Sequence, residues 1–280
     1  MIADSLSTET YALAEGPLWD PVGERLLWVD IPTGRILEGE LRDGQLRVVR
    51  THTLPGTVGA VAPAADGSLV VAAQYGFATI GSRTANGPRV LPEGAVSRFN
   101  DGRCDPAGRF LAGSLAKDER RGQERLYRLE LDGTVSVLAD GLTISNGLGW
   151  SPDGRTLYHV DSIPGVVWAQ PYDVESGRVG PRAVILEVSD GVPDGMAVDV
   201  EGNLWIAVWG AGEVRRYTPG GRLLDTVKVA SPKTSSAAFV GSALVITTAG
   251  GGLFAADVGV TGLPATPYQG PADLEQVAAR

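Results

Sequence analysis

The chain is predicted to be all-β, a six-bladed β-propeller with four-stranded antiparallel blades, and three observations carry that prediction. A short turn-and-strand pattern recurs six times, as DPVGERLLWV, AADGSLVVAA, DPAGRFLAG, SPDGRTLYHV, DVEGNLWIAV and, more weakly, FVGSALVITT. Its glycines, Gly23, Gly67, Gly108, Gly154, Gly202 and Gly241, are 44, 41, 46, 48 and 39 residues apart. A period in the forties built from short strands is that of a propeller blade. Each glycine leads into a β-rich run: RLLWVD (25–30), SLVVAA (68–73), RFLAGS (109–114), TLYHVD (156–161), NLWIAV (203–208) and ALVITT (243–248). Finally, no window of helical length keeps an i, i+3, i+4 apolar stripe; the tail ADLEQVAAR is the only helical candidate.

Outer strands such as GRILEGEL, RLYRLEL, GVVWAQPYD and EVRRYTPG follow the glycine-led runs and end at Gly, Asp or Pro. No linker-like stretch separates the six units, so residues 1–280 are expected to form one domain. The composition agrees: 43% hydrophobic and 20% charged residues are globular values, and 38 Gly with 18 Pro fit many tight turns. A net charge of −9 without a basic stripe makes nucleic acid an unfavourable partner. MIADSLSTETYALAEG lacks a secretory pattern, no apolar run reaches membrane-span length, and the lone Cys104 suits a reducing compartment. The expectation is a cytoplasmic protein without membrane contact.

The candidate site comes from the repeat itself. Glu15, Asn100, Asn146 and Asp194 each stand eight positions before a turn glycine; Gly59 occupies that offset in the second unit, and Ser235 reaches it in the sixth across a two-residue gap. Equivalent positions of a radial repeat lie at one height around its axis, so two carboxylates and two amides should converge there. Oxygen-only donors suit a hard divalent cation. Glu15 and Asp194 would repel each other in a poorly solvated channel, and a cation removes that cost. Asn146 adds a neutral oxygen. Each ring residue is closely followed by glycine, where the backbone can bend sharply. Arg98, two residues before Asn100, shares its strand face and can hold substrate oxygens or an oxyanion. A surface pairing with Asp101 is the competing role for that arginine.

Other chemistry is absent. Two histidines, His52 and His159, rule out a His-rich zinc site, and neither a G-x-S-x-G elbow nor a phosphate-binding glycine loop occurs. Cys104 and His159 read as packed side chains, and most of the tryptophans as inter-blade core; Trp209, after a strand end, is placed at the mouth of the site.

Taken together, LAEGPLWDPVGERLLWVDI, SRFNDGRCDPAGRFLAGSL, ISNGLGWSPDGRTLYHVDS, VPDGMAVDVEGNLWIAVWG and KTSSAAFVG resemble the senescence marker protein/regucalcin and gluconolactonase family of six-bladed propellers. The resemblance spans nearly the whole chain and implies one divalent cation, Ca, Zn, Mn, Mg or Fe, held by Glu15, Asn146 and Asp194. It also implies substrate contacts from Arg98 and Asn100, with which Asp101 is grouped, and hydrolysis of a sugar lactone such as gluconolactone. In that reading Asp194 is the general base, or serves only as a ligand while the cation activates water. The loop SLAKDERRGQERLY departs from the family at Leu115 and at Glu124-Arg125 and is expected to set sugar preference, with Glu119 taking part. Phosphotriester hydrolysis and cation binding without catalysis are the alternatives.

Overall fold

The computed structural model describes residues 1–42, 44–118 and 120–278. Six four-stranded antiparallel sheets follow one another along the chain. A two-residue strand β1 (Asp4–Ser5) precedes blade 1, formed by β2 (Ala14–Asp20), β3 (Arg25–Asp30), β4 (Arg35–Arg42) and β5 (Gln45–Thr53). Blade 2 comprises β6 (Val58–Pro63), β7 (Leu69–Ala73), β8 (Gly76–Ile80) and β9 (Thr84–Arg89). Blade 3 comprises β10 (Ser97–Cys104), β11 (Phe110–Ala116), β12 (Glu124–Leu129) and β13 (Val135–Leu142). Blade 4 runs through β14 (Ser145–Trp150), β15 (Thr156–Asp161), β16 (Val166–Pro171) and β17 (Ala183–Glu187). Blade 5 runs through β18 (Val192–Val198), β19 (Leu204–Trp209), β20 (Glu213–Tyr217) and β21 (Leu223–Lys228). Blade 6 takes β22 (Thr234–Val240), β23 (Ala243–Thr248) and β24 (Phe254–Asp257) from the C-terminal part, and β1 completes it by pairing with β24. The two ends of the chain thus close the ring in one sheet. The tail contributes a single helical turn, Glu275–Ala278.

The glycine-led runs are the second strands of the blades, not the first. The loop 117–123 consequently follows the second strand of blade 3, and Glu119 lies outside the described residues. The repeated turn has a physical cause. Asp20 ends β2, Asp105 and Asp199 directly follow β10 and β18, and all three turn their carboxylates onto the backbone of the turn. Asp105 Oδ1 accepts the amides of Ala107 and Arg109 (2.9 and 2.8 Å), and Asp199 Oδ1 those of Glu201 and Asn203 (3.0 and 2.8 Å).

Packing between blades is aromatic and aliphatic. Phe77 of blade 2 meets Phe99 and Phe110 of blade 3 at 5.3 and 5.9 Å, and Trp205 of blade 5 meets Phe239 of blade 6 edge-on at 5.8 Å. Trp28, Trp150 and Trp205 are buried as expected. Trp19 and Trp168 are only half-buried, and Arg182 stacks over Trp168 at 4.7 Å. Cys104 is buried at the end of β10.

The two faces differ. The turn glycines lie at the ends of the innermost strands, and across that face runs segment 261–269. It bonds to blade 5 (Val200 N to Thr261 O and Leu263 N to Val198 O, both 3.0 Å), then to blade 2 (Tyr268 N to Pro63 O, 2.8 Å) and to blade 3 (Gln269 N to Gly108 O, 3.0 Å). This strap covers the channel at that end. Among the described residues no helix is long and apolar enough to cross a membrane.

Candidate functional site

The innermost strands β2, β6, β10, β14, β18 and β22 surround the axis, and near their starts the regular pairing breaks in every blade. The register shifts between Val58 and Ala60, Phe99 and Gly102, Ser145 and Leu148, Pro193 and Met196, and Thr234 and Ser236. The bulged residues include Gly59, Asn100 with Asp101, Asn146, Asp194 and Ser235. In blade 1 Glu15 still pairs with Val29, and the break falls directly after it. A β-bulge frees a residue from the ladder and re-aims its side chain. It therefore supplies what simple strand alternation does not: a break in pairing at the corresponding place of each innermost strand.

The glycines beside the ring have separate reasons. Gly16 sits at φ 53°, a left-handed conformation that favours glycine, directly after Glu15. Gly195 is required by crowding, since a Cβ there would lie 2.0 Å from Ser236 Oγ and 2.4 Å from Ser236 Cβ. Gly59 has no side chain to offer: its Cβ would meet the Phe99–Asn100 backbone at 2.6–2.8 Å, so the second ring position is a close approach of two strands.

The ring side chains are sequestered, with Glu15 3%, Asn146 4%, Asn100 5%, and Asp101 and Asp194 both 7% exposed. Their hydrogen bonds separate two kinds of amide. Asn146 donates from Nδ2 to Ser162 Oγ (3.0 Å), which fixes its orientation and leaves Oδ1 buried without a partner. Asn100 is satisfied at both ends, donating to Ser145 O (3.1 Å) and accepting from Arg98 Nη1 (2.9 Å). Ser235 spends its hydroxyl on Ala14 O (2.6 Å), which ties blade 6 to blade 1, so the sixth position is structural. Asp194 Oδ1 is likewise buried without a partner. Buried polar atoms are nearly always paired, and two unpaired oxygens at equivalent ring positions mark a place for a positive partner.

The charges agree. Burial, then the fields of Asp194 and Asp101, holds the Glu15 carboxyl well above its usual range. Burial and then Asp101 does the same to Asp194, and burial raises Asp101 itself, against the pull of Arg103. Arg98 is the cation that acts on both Glu15 and Asp194, and burial lowers it to about 10, still charged at neutral pH. It donates from Nη1 to Asn100 Oδ1 and to Phe99 O (2.8 Å) and does not pair with Asp101, whose Oδ1 accepts the Gly102 amide (2.7 Å). Among the described residues no three His, Cys, Asp or Glu side chains cluster closely enough to hold a metal by themselves. A cation at this ring therefore depends on the amide oxygen of Asn146. The donor chemistry fits a hard divalent ion: oxygens only, two of them unpaired, with excess negative charge.

Two contributions were not visible in the motifs. Ser162 follows strand TLYHVD and orients Asn146; a serine just past the strand end was the available signal. His159 accompanies the ring at one remove: it is fully buried, bonded to Ser145 Oγ at 2.8 Å, and burial lowers it to about 3. Trp209 ends β19 with Lys233 Nζ 5.6 Å from its ring centroid. Just past the 117–123 loop, Glu124 at the start of β12 accepts Ser97 Oγ (2.8 Å) and Ser114 Oγ (2.6 Å).

Known proteins resemble this chain over most of its length. The SMP-30/Gluconolactonase/LRE-like region matches residues 13–250. Regucalcin of Gallus gallus is 33% identical over 296 residues, covering 95% of this chain and 98% of its own length. Pentonolactonase XacC of Haloferax volcanii is 36% identical over 250 residues, covering 85% of this chain and 82% of its own. Among solved structures, a calcium-binding protein, regucalcin, from Agrobacterium tumefaciens superposes with a TM-score of 0.84 at 28% identity, covering 95% of this chain and 97% of that one. The chain belongs to the SMP-30/gluconolactonase/LRE-like family.

Proposed function

We propose that this chain hydrolyses sugar lactones, aldonolactones such as gluconolactone, at one divalent cation held by Glu15, Asn146 and Asp194. The observation that carries the proposal is the pair of buried, unpartnered oxygens on Asn146 and Asp194 beside a carboxyl, Glu15, that burial and like charge keep from ionising freely. Membership of a family that includes a pentonolactonase supports the substrate class.

When bound, the cation supplies Lewis acidity toward an ester carbonyl and neutralises the ring carboxylates. The remaining work falls to side chains of the chain. Asp194 takes the proton of the attacking water; because a ligated cation lowers the basicity of a carboxylate, this role requires Asp194 to be weakly held or to shift on the cation. Arg98 uses Nη1 to brace itself on Asn100 and Phe99, while Nε and Nη2 are available to lactone hydroxyls or to the oxyanion. Asn100 holds Arg98 in that pose, and the field of Asp101 acts on both Glu15 and Asp194. As the ring opens, the carbonyl carbon gains the water oxygen, the bond to the ring oxygen breaks, and the proton passes to the alkoxide, giving the aldonic acid.

The oxygen-only donor set also favours calcium binding without turnover, in line with the calcium-binding regucalcin among the structural neighbours. One experiment separates the readings. The chelated protein is reloaded with Ca, Mg, Mn, Zn or Fe and offered a panel of aldonolactones, with acid release followed at each. Cation binding with no acid release on any lactone would leave only the binding reading.

A further inference from the structure

On the face opposite the ring, two adjoining cavities of about 330 and 210 Å³ flank the strap and share the walls Leu18, Val198, Leu263, Pro264 and Ala265, with Arg103 in both. Among the described residues the Arg103 guanidinium makes one hydrogen bond, from Nη2 to Met196 O at 3.2 Å, and enters no ion pair. Five donors on a guanidinium are therefore largely unspent. Burial works against its charge, with Asp101, two residues along the strand, only partly offsetting it. The larger cavity is also bordered by Trp150, 6% exposed, whose Nε1 is buried without a partner. Both unsatisfied groups are donors, and neither accepts.

We infer that these cavities form a second ligand site, separate from the ring, for a small monocarboxylate with an apolar body. Arg103 takes the carboxylate, an arrangement in which two parallel N–H bonds are available. Leu18, Val198, Leu263 and Pro264 cover the apolar part, and the larger space exceeds the roughly 150 Å³ that suffices for benzene. A single negative charge is favoured over a double one. Asp153 borders the larger cavity with its carboxylate tied to Ser151 Oγ and Arg155 N, and Asp101 already balances part of Arg103. A phosphate or dicarboxylate would face both acids.

The test is calorimetric titration of the chelated full-length protein with benzoate, with benzamide as the neutral counterpart. One benzoate per chain is expected, with benzamide weaker by about tenfold or more. Arg103→Gln should weaken benzoate by a similar factor through loss of a charge-assisted bond. Ala265→Phe, on the strap, should fill the space and abolish binding, and it decides the matter if Arg103→Gln does not fold. Glu15→Gln at the ring should leave benzoate affinity unchanged. Absence of saturable benzoate binding, its persistence in both Arg103→Gln and Ala265→Phe, or its loss in Glu15→Gln would each overturn the assignment.

Discussion

Gly195→Ala tests the bulge geometry that aims Asp194 at the axis. The added Cβ would stand 2.0 Å from Ser236 Oγ, 2.4 Å from Ser236 Cβ and 2.8 Å from Ser236 Cα. Rotating the Ser236 hydroxyl relieves only the first contact. Ser236 is 1% exposed and its carbonyl accepts Thr247 Oγ1, so the strands β18 and β22 must separate by about 1 Å to restore ordinary carbon contact distances near 3.5 Å. Overpacking of this kind costs about 1–3 kcal/mol. An unfolding entropy of about 2.1 cal/mol/K per residue gives roughly 0.6 kcal/mol/K for the chain, so Tm should fall by about 2–5 °C. The shift is applied at the residue after Asp194, and displacement of a reacting group by about 1 Å costs on the order of a hundredfold in rate. Differential scanning calorimetry of the chelated protein, with lactone kinetics after metal addition, reads both effects. Gly220→Ala is the control, since its Cβ would meet nothing closer than Thr218 Oγ1 at 3.9 Å, and its Tm should not fall. A Gly195→Ala protein with wild-type Tm and activity would refute the close-packed bulge as the device that positions Asp194.

Three further outcomes follow from the charges. Glu15 has a folded pKa raised above its unfolded value, so the metal-free protein loses stability as pH rises beyond the usual carboxyl range. Glu15→Gln should therefore raise the Tm of chelated protein at pH 7 while shrinking the stabilisation gained on adding metal, which is about 2.7 kcal/mol for the wild type at a hundred times Kd. His159 has the opposite sign: its folded pKa of about 3 lies below the usual 6.5, so its contribution is complete above pH 6.5 and lost as pH falls. At about 1.4 kcal/mol per unit, wild type should lose about 2 kcal/mol more than His159→Gln between pH 6.5 and 5, measured by urea unfolding. Equal losses in the two proteins would place the acid sensitivity elsewhere. Arg98→Ala should lower kcat/KM roughly ten- to thousandfold with metal affinity unchanged or slightly higher, and loss of the metal in that variant would show that Arg98 supports the ligands instead of the substrate.

The repeat was legible because its cause is local. Asp105 and Asp199 accept amides of their own turns, so the D-x-x-G signature survives in the sequence at each of those corners and reports the blade period directly. The ring was legible for the same reason, since the offset from a turn glycine counts residues along one innermost strand. What could not be read was anything decided between blades. That Gly195 is glycine because of Ser236, that Asn146 is turned by Ser162, and that Ser235 is spent on Ala14 all depend on contacts across strands. The sequence offset treated Glu15 and Ser235 as equivalent positions; only the hydrogen bonds distinguish an oxygen left free from one already used. That Glu124 accepts hydrogen bonds from Ser97 and Ser114 likewise depends on contacts between strands. The strap over the far face left no motif at all, because its bonds to Val198, Pro63 and Gly108 are made by backbone atoms.

The central claim is that Glu15, Asn146 and Asp194 hold one divalent cation on which lactone opening depends. It is tested most directly by measuring metal content and aldonolactone turnover together, on wild type, Glu15→Gln, Asn146→Ala and Asp194→Asn, each chelated and then reloaded. The account predicts one ion per chain in the wild type, turnover abolished by chelation and restored by metal, and both quantities reduced together in all three variants. Full occupancy and full turnover in Glu15→Gln and Asp194→Asn would contradict it and move the site away from the ring.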